Sequence, residues 1–198
     1  MSNELETESI DDCLVVRFTR PEIRNPLSVT VLDQLNQIVD RCASDNKIAT
    51  VIFTGTGKSF ASGANLREIA AIATVDAPEF ARRGQRLMAK IESLPQNTVA
   101  AINGFCFGGA LDLALACNLR LASPDAQFAH PGTGLGIITG WGGTQRLPRL
   151  IGQTNALEMF FSAETIPADR AVSIGLVDEI SNVPVERAIE LAGATDVG

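Results

Sequence analysis

The sequence Asn103-Gly104-Phe105-Cys106-Phe107-Gly108-Gly109-Ala110 joins a predicted strand, residues 99–102, to a predicted helix, residues 110–117. Small residues allow a backbone to approach a ligand closely, and the first amides of a helix have no carbonyl partner inside that helix. The segment therefore predicts a site where backbone N–H groups face a ligand. Close packing of the helix against its neighbours is the alternative use of these glycines.

A second turn of small residues, Phe60-Ala61-Ser62-Gly63-Ala64-Asn65-Leu66, also follows a predicted strand and leads into a helix. A helix N-terminus carries a partial positive charge in addition to its free amides. Two such amides that converge on one carbonyl oxygen form an oxyanion hole, which stabilises negative charge in a transition state. The pair of turns thus favours chemistry at a carbonyl group.

Short apolar strand patterns alternate with helical patterns along the chain. Residues 13–18 and 50–54 are predicted strands, and residues 29–41 place apolar side chains at helical spacing. The other predicted helices are residues 78–94, 155–161, 168–173 and 185–192, and the other predicted strands are residues 119–122 and 176–180. This alternation predicts a layered α/β fold, and the length suits a single domain over residues 1–198.

Composition and charge exclude several function classes. The chain has 16 basic and 23 acidic side chains, and its net charge of −7 argues against a nucleic-acid partner. An uninterrupted run of about 18 apolar residues, which a membrane-spanning helix needs, does not occur, so we expect no membrane insertion. Residues 1–6 are polar and acidic, unlike a secretory signal, which predicts a cytoplasmic location.

The cysteine and histidine content argues against a metal site. Four cysteines, Cys13, Cys42, Cys106 and Cys117, are far apart and lack the spacing of metal ligands. We expect them to be reduced thiols that act as small core residues. The only histidine is His130, which excludes a site built from several imidazoles.

The segment Gly55-Thr56-Gly57-Lys58-Ser59 resembles the end of a phosphate-binding loop, but the full pattern requires a glycine where this chain has Ile52. The residues after Ser59 also make a poor helix start. We therefore predict a plain turn after a strand and not a nucleoside-triphosphate site.

Four segments occur in a fixed order along the chain. They are Arg20-Pro21-Glu22 with Arg24-Asn25-Pro26-Leu27-Ser28, Phe60 to Leu66, Ala101-Ile102-Asn103-Gly104 through Gly108-Gly109, and Trp141-Gly142-Gly143-Thr144-Gln145-Arg146-Leu147-Pro148-Arg149. In these segments, and over residues 10–192, the chain resembles the crotonase superfamily of enoyl-CoA hydratases and isomerases. The resemblance implies a spiral of repeated ββα units and assembly as a homotrimer or hexamer. It also implies an acyl-CoA thioester substrate, with coenzyme A as part of that substrate, and no permanently bound cofactor.

The resemblance also implies roles for individual positions. It assigns the oxyanion-hole amides to Ser62 and Gly109. It places contacts to the adenine and pantetheine parts of coenzyme A at Arg24, Asn25, Leu27, Ala64, Asn65 and Leu66. Arg24 or Arg67 is a candidate for a CoA phosphate, and a solvated surface position is the alternative for each.

Two departures from the hydratase pattern concern proton transfer. Asp112 occupies the position of one catalytic glutamate, with a reach about 1.5 Å shorter. Its apolar surroundings predict a raised pKa, and capping of the helix N-terminus is its alternative role. Gly132 occupies the position of the second glutamate and cannot transfer a proton. It leaves room for a bulkier acyl group or an anion, as in naphthoyl-CoA synthases, which carry an aspartate where this chain has Thr139.

Two aromatic side chains lie near these positions in sequence. His130 precedes Gly132 by two residues and is a candidate base or orienting group; a position away from the cleft, bonded to a backbone carbonyl, is the alternative. Trp141 is predicted to begin a helix. It either lines the acyl pocket or packs in the interior.

Members of the superfamily generally continue through further C-terminal helices, whereas this sequence ends at Gly198, so we expect a C-terminally short fold with a more open pocket or a different assembly. The leading interpretation is an enzyme of the enoyl-CoA hydratase/isomerase class, in fatty acid metabolism, with Asp112 as its main proton-transfer group. The alternatives are a CoA-ester binding or assembly protein with little catalysis, and a decarboxylase or naphthoyl-CoA-synthase-like activity.

Overall fold

The computed structural model describes residues 4–194, which form two β-sheets and seven α-helices. The strands are β1 (Leu5–Ile10), β2 (Cys13–Phe18), β3 (Thr50–Thr54), β4 (Ser59–Ala61), β5 (Asn97–Ile102), β6 (Phe105–Phe107), β7 (Leu119–Ala122), β8 (Gln127–Ala129), β9 (Ile166–Pro167) and β10 (Glu179–Ile180). The helices are α1 (Val29–Ser44), α2 (Leu66–Ala71), α3 (Ala77–Glu92), α4 (Gly109–Ala116), α5 (Gly143–Ser162), α6 (Ala168–Ser173) and α7 (Pro184–Ala194). Short 3-10 turns cover Pro21–Ile23 and Pro131–Leu135. None of the described helices is long and apolar enough to cross a membrane.

From β3 to β8, each successive pair of strands contributes one strand to each sheet, whereas β1 and β2 both belong to the larger sheet. The larger sheet has the order β1-β2-β3-β5-β7-β10 and the smaller one β4-β6-β8-β9. Strands β3, β5 and β7 are parallel neighbours in the first sheet, and β4, β6 and β8 are parallel neighbours in the second. Helices follow β4 and β6 before the chain returns to the larger sheet. This arrangement confirms the predicted α/β spiral of ββα units.

The main core lies on one face of the larger sheet. Because side chains alternate along a strand, Val16 and Phe53 enter this core, where Phe60 from the smaller sheet also packs. The intervening residues Val15 and Ile52 face the opposite side, where α7 covers them. Both faces of the central strands are thus buried, as the continuous apolar runs predict.

The turn from β3 to β4 covers residues 55–58, and no helix begins at Lys58. This confirms that the Gly-Lys-Ser segment is a turn between strands rather than a phosphate-binding loop.

Two predicted boundaries are wrong. Helix α5 begins at Gly143 and not at Trp141, because Gly142 has a φ of 110° that is incompatible with a helix. The strand predicted at residues 176–180 is reduced to β10, because the amides of Leu176 and Val177 both donate to the carbonyl of Ala171 and so close the end of α6.

Candidate active site

A cavity of about 270 Å³ opens beside the start of α4. Its walls come from both small-residue turns, from α3 and from the segment between β8 and α5. Most of the lining side chains are apolar, and the ionisable ones among the described residues are Asp112 and His130. The structure therefore brings the two sequence-predicted turns and both candidate proton-transfer groups to one place.

The two turns are in direct contact. A Cβ atom on Gly63 would lie 2.6 Å from the carbonyl oxygen of Phe107 and 3.0 Å from the nitrogen of Gly109, so only glycine permits this approach. Gly108 has φ 54° and ψ −120°, a conformation that essentially only glycine adopts. These two glycines allow α4 to begin at the cavity wall beside the first turn.

The backbone hydrogen bonds identify which amides remain free. The Ser62 amide donates to the carbonyl of Arg24 at 3.0 Å, which argues against the predicted role of Ser62 as an oxyanion donor. Leu27 and Ala64 form a parallel bridge in which the Leu27 amide donates to the Gly63 carbonyl at 2.8 Å. The Ala64 amide donates to no acceptor within residues 4–194. Gly109 is the first residue of α4, so its amide has no partner inside the helix. Ala64 and Gly109 therefore each offer an amide, one from each turn, for which the described residues provide no acceptor.

Asp112 is fully buried on α4 and faces the cavity. Its Oδ2 accepts a hydrogen bond from the Thr139 hydroxyl and one from the Trp141 amide at 3.3 Å. Both donors come from the segment before α5, so the carboxylate does not cap its own helix. Burial raises the pKa of Asp112 to about 6, against the opposing effect of these hydrogen bonds.

His130 faces the same carboxylate. Its Nε2 lies 3.8 Å from Oδ1 of Asp112, and its ring packs on Phe160 with 5.1 Å between ring centroids. The side chain is buried, and burial lowers the pKa of His130 to about 4. Of the two predicted orientations, the structure shows the one that points into the cleft.

Two glycines shape the space around this pair. A Cβ atom on Gly143 would collide with Oδ1 of Asp112 and lie 3.1 Å from Cε1 of His130. A Cβ atom on Gly132 would lie 2.8 Å from the carbonyl oxygen of Ile137. The carbonyl of Ile137 therefore occupies the space that a Cβ atom at position 132 would need, while Gly132 itself lines the cavity. Room beside Gly132 for a bulkier acyl group or an anion stays a prediction.

Trp141 packs between α3 and α4. A Cβ atom on either Gly84 or Gly109 would collide with its indole ring, and the Phe80 ring lies 5.9 Å away between centroids. The indole also lines the cavity. Both roles weighed from the sequence therefore hold: Trp141 is an interior packing residue and a wall of the pocket.

Comparison with known proteins decides the family. Residues 8–192 match the family model described as enoyl-CoA hydratase/isomerase. The chain belongs to the enoyl-CoA hydratase/isomerase family. This confirms the membership predicted from the sequence.

Similar proteins in this family come from several bacteria. The chain is 37% identical over 179 residues to a short-chain-enoyl-CoA hydratase of Clostridium acetobutylicum, a match that covers 90% of this chain and 69% of the relative. It is 37% identical over 174 residues to a crotonyl-CoA hydratase of Syntrophomonas wolfei, covering 87% and 67%. A crystal structure of an enoyl-CoA hydratase from Bacillus anthracis superposes with a TM-score of 0.93 at 35% identity, covering 97% of this chain and 76% of that one. The chain spans about two thirds of the length of the curated relatives it matches.

Several predicted CoA contacts lie elsewhere in the structure. Leu27 is fully buried in the core, and the buried Asn25 donates from its side-chain amide to the carbonyl of Ser59 at 2.8 Å. Neither side chain is accessible to a ligand, which corrects both assignments. Asn65 caps α2 by accepting from the Arg67 amide at 3.0 Å.

The remaining positions predicted for CoA contacts are accessible. Ala64 and Leu66 line the cavity, and Leu66 is 55% exposed. Arg24 is at the surface with its guanidinium 5.8 Å from the centroid of the Phe105 ring. A role of Arg24 toward a CoA phosphate stays a prediction.

Thr139 belongs to the site although its residue type did not predict a role there. From the sequence it is only a mismatch to one group of relatives, whereas in the structure its hydroxyl donates to Asp112. The available signal was its position in the glycine-rich segment that also holds Trp141 and Gly143. Because Trp141 was a candidate for the wall of the pocket, residues close to it in sequence, such as Thr139, were candidates as well.

Proposed function

We propose that the protein acts on acyl-CoA thioesters through a thioester enolate, with Asp112 as the proton-transfer group. The observation that supports this best is the meeting of two unused amides, Ala64 and Gly109, with a buried carboxylate in one apolar cavity. Several relatives are named enoyl-CoA hydratases, and enoyl thioesters form such an enolate when they react.

The two amides supply the electrostatic part of the reaction. A thioester oxygen placed between Ala64 and Gly109 accepts two N–H bonds, and the positive end of α4 adds to their effect. Both donors are backbone N–H groups, so their positions are fixed before the reaction and need no rearrangement as charge develops on the thioester oxygen. They stabilise the enolate oxygen whatever the acyl group.

Asp112 supplies the proton transfer. Its pKa of about 6, raised by burial, leaves it ionised at neutral pH, yet basic enough to remove a proton from the carbon beside an activated thioester. The electron pair of that C–H bond moves onto the thioester oxygen. Returning the proton to the γ-carbon of a 3-enoyl thioester moves the double bond into conjugation, which is an isomerisation that one carboxylate completes.

The decisive experiment follows the exchange of the α-hydrogen of butyryl-CoA in deuterated water by mass spectrometry. This reaction needs only an enolate and one base. We expect exchange by the protein well above the rate in buffer, and isomerisation of 3-enoyl-CoA to 2-enoyl-CoA. Tight binding of CoA esters without exchange would instead support the alternative, a binding protein with little catalysis.

The exchange rate should rise with pH through the pKa of Asp112. Because the ionised carboxylate is the active form, the rate is expected to increase roughly tenfold from pH 5 to pH 7 and then level off, with a midpoint near 6. Replacing Thr139 by valine removes a donor that favours the charged form, so the midpoint should move upward in T139V. A profile that is flat over this range, or a midpoint unmoved in T139V, contradicts the assignment.

We also propose a homotrimer or hexamer in the cytoplasm. Leu66, Leu135 and Ile138 surround the cavity mouth with exposures of 55%, 55% and 60%, and a neighbouring subunit would cover this apolar surface. The four cysteines are buried and unpaired, which suits a reducing compartment.

A further inference from the structure

The two donors that orient Asp112 come from a segment without regular structure. Residues 137–142, here called the wall segment, belong to no helix or strand. Within it, the Thr139 hydroxyl and the Trp141 amide both donate to Oδ2 of the carboxylate. Oδ1 has no hydrogen-bond partner within the part of the chain that the structure describes. The direction in which the carboxylate points therefore depends on the position of the wall segment.

The wall segment separates two cavities. Thr139, Gly140 and Trp141 line the site cavity and also an open cleft of about 450 Å³ between α3 and α5. The Trp141 ring packs between α3 and α4, but the backbone on the cleft side lacks the close packing that fixes most of a protein interior. On that side, hydrogen bonds have to hold the wall segment in place.

Two side chains hold this backbone from the cleft. Nε2 of Gln85, on α3, donates to the carbonyl of Gly140 at 2.8 Å. Nη1 of Arg146, on α5, donates to the carbonyl of Trp141 at 3.4 Å. Both side chains line the cleft. Two consecutive carbonyls are thus bound from two different helices, while the Trp141 amide faces Asp112.

The guanidinium of Arg146 is itself fixed by further contacts. Its Nε and Nη2 donate to Oε2 of Glu92, at the end of α3, at 3.2 and 2.6 Å. Gly142 gives it room, since a Cβ atom there would collide with Nη1. The side chain is only 14% exposed. The planar fork of an arginine suits such a position, because it reaches two acceptors in one fixed geometry.

We propose that Gln85 and Arg146 are positioning residues for proton transfer, which keep the Asp112 carboxylate aimed into the cavity by holding the wall segment. This inference rests on the proposed function, in which Asp112 moves the proton. Neither Gln85 nor Arg146 lines the site cavity, so both act through the wall segment. A displacement of about 1 Å at a reacting group can lower turnover about 100-fold, so a mobile wall segment would slow the reaction.

Arg146 also acts through its charge. Burial raises the pKa of Asp112 to about 6, against the hydrogen bonds from the wall segment and the positive charge of Arg146. The other titratable groups near the carboxylate are His130, after β8, and Cys106, on β6. Burial lowers the pKa of His130 to about 4 and raises that of Cys106, so both are neutral at neutral pH. Loss of Arg146 therefore raises the pKa of Asp112, whereas Gln85 carries no charge to lose.

The test measures kcat and KM for α-hydrogen exchange of butyryl-CoA in three variants. At about pH 8.5, where Asp112 is ionised, Arg146→Met should lower kcat about 10- to 100-fold with KM within about threefold of wild type. The midpoint of its pH profile should move upward. Arg146→Lys keeps the charge but not the fork, so its midpoint should stay near 6 while kcat recovers only in part. Gln85→Met should lower kcat about three- to tenfold with the midpoint near 6.

The matched control is Arg149→Met, which removes an exposed arginine from the same helix and should leave kcat and the midpoint at wild-type values. Thermal unfolding shows which variants are folded, and if R146M is not, Q85M decides, because Gln85 is exposed and neutral. A wild-type kcat in either folded variant, or a rise of KM at unchanged kcat, overturns the inference and leaves the proposed function intact. Absence of exchange in the wild-type protein removes the proposed function, and the inference with it.

Discussion

Replacing Asp112 by asparagine should lower the rate of α-hydrogen exchange by about 100- to 10,000-fold. The variant keeps the shape of the side chain but lacks the carboxylate that accepts the proton and returns it. Affinity for a CoA ester should change by less than about threefold, since the two amides that hold the thioester oxygen are untouched. Turnover is measured by mass spectrometry and affinity by isothermal titration calorimetry.

The matched control is Asp125→Asn, at an exposed position in the turn between β7 and β8. D125N makes the same chemical change away from the cavity and should exchange at the wild-type rate. Full activity in D112N would show that another group moves the proton. A parallel loss of binding would show instead that the carboxylate holds the ligand.

Among substitutions that add a single methyl group, Gly109→Ala should lower stability and turnover the most. The new Cβ would collide with the Trp141 ring, so the start of α4 or the indole has to move. Overpacking of this kind costs about 1–3 kcal/mol of stability. Displacement of one oxyanion donor lowers turnover by about 100- to 1,000-fold. Thermal unfolding and the exchange assay measure the two effects separately.

Gly134→Ala is the matched control, because nothing lies within 4 Å of a Cβ atom at Gly134. A second variant, G109A combined with W141L, relieves the collision and should regain stability. Activity as high as wild type in G109A, with unchanged stability, would contradict the placement of the indole against Gly109. Recovery of stability without activity in the double variant would show that Trp141 holds the donor in position.

Much of the fold could be predicted because its pattern is local. The apolar run at residues 50–54 and the helical spacing after Val29 each report burial of their own segment. The wrong boundaries occur where an element is ended by a backbone dihedral angle or by a hydrogen bond to another segment. The positive φ of Gly142 delays α5, and the carbonyl of Ala171 takes the amides that a longer β10 would need.

The candidate site shows the same difference between features that the sequence predicts and features that depend on contacts with another segment. Asp112, His130 and Gly109 could be predicted from the resemblance to the crotonase superfamily together with residue type, and the structure places all three at the cavity. The assignment of the other amide to Ser62 failed because its partner is the carbonyl of Arg24, in a different segment. Which amide of a turn already donates a hydrogen bond depends on tertiary contacts, and these cannot be read from a single sequence.

The position of Trp141 also allows the site to be followed by intrinsic fluorescence. The chain has one tryptophan and no tyrosine, so nearly all of its ultraviolet emission arises from an indole that touches both the cavity and the start of α4. A thioester that enters the pocket displaces solvent beside this ring and changes its emission. The unlabelled protein thus carries a built-in optical probe at the position where the enolate oxygen is held.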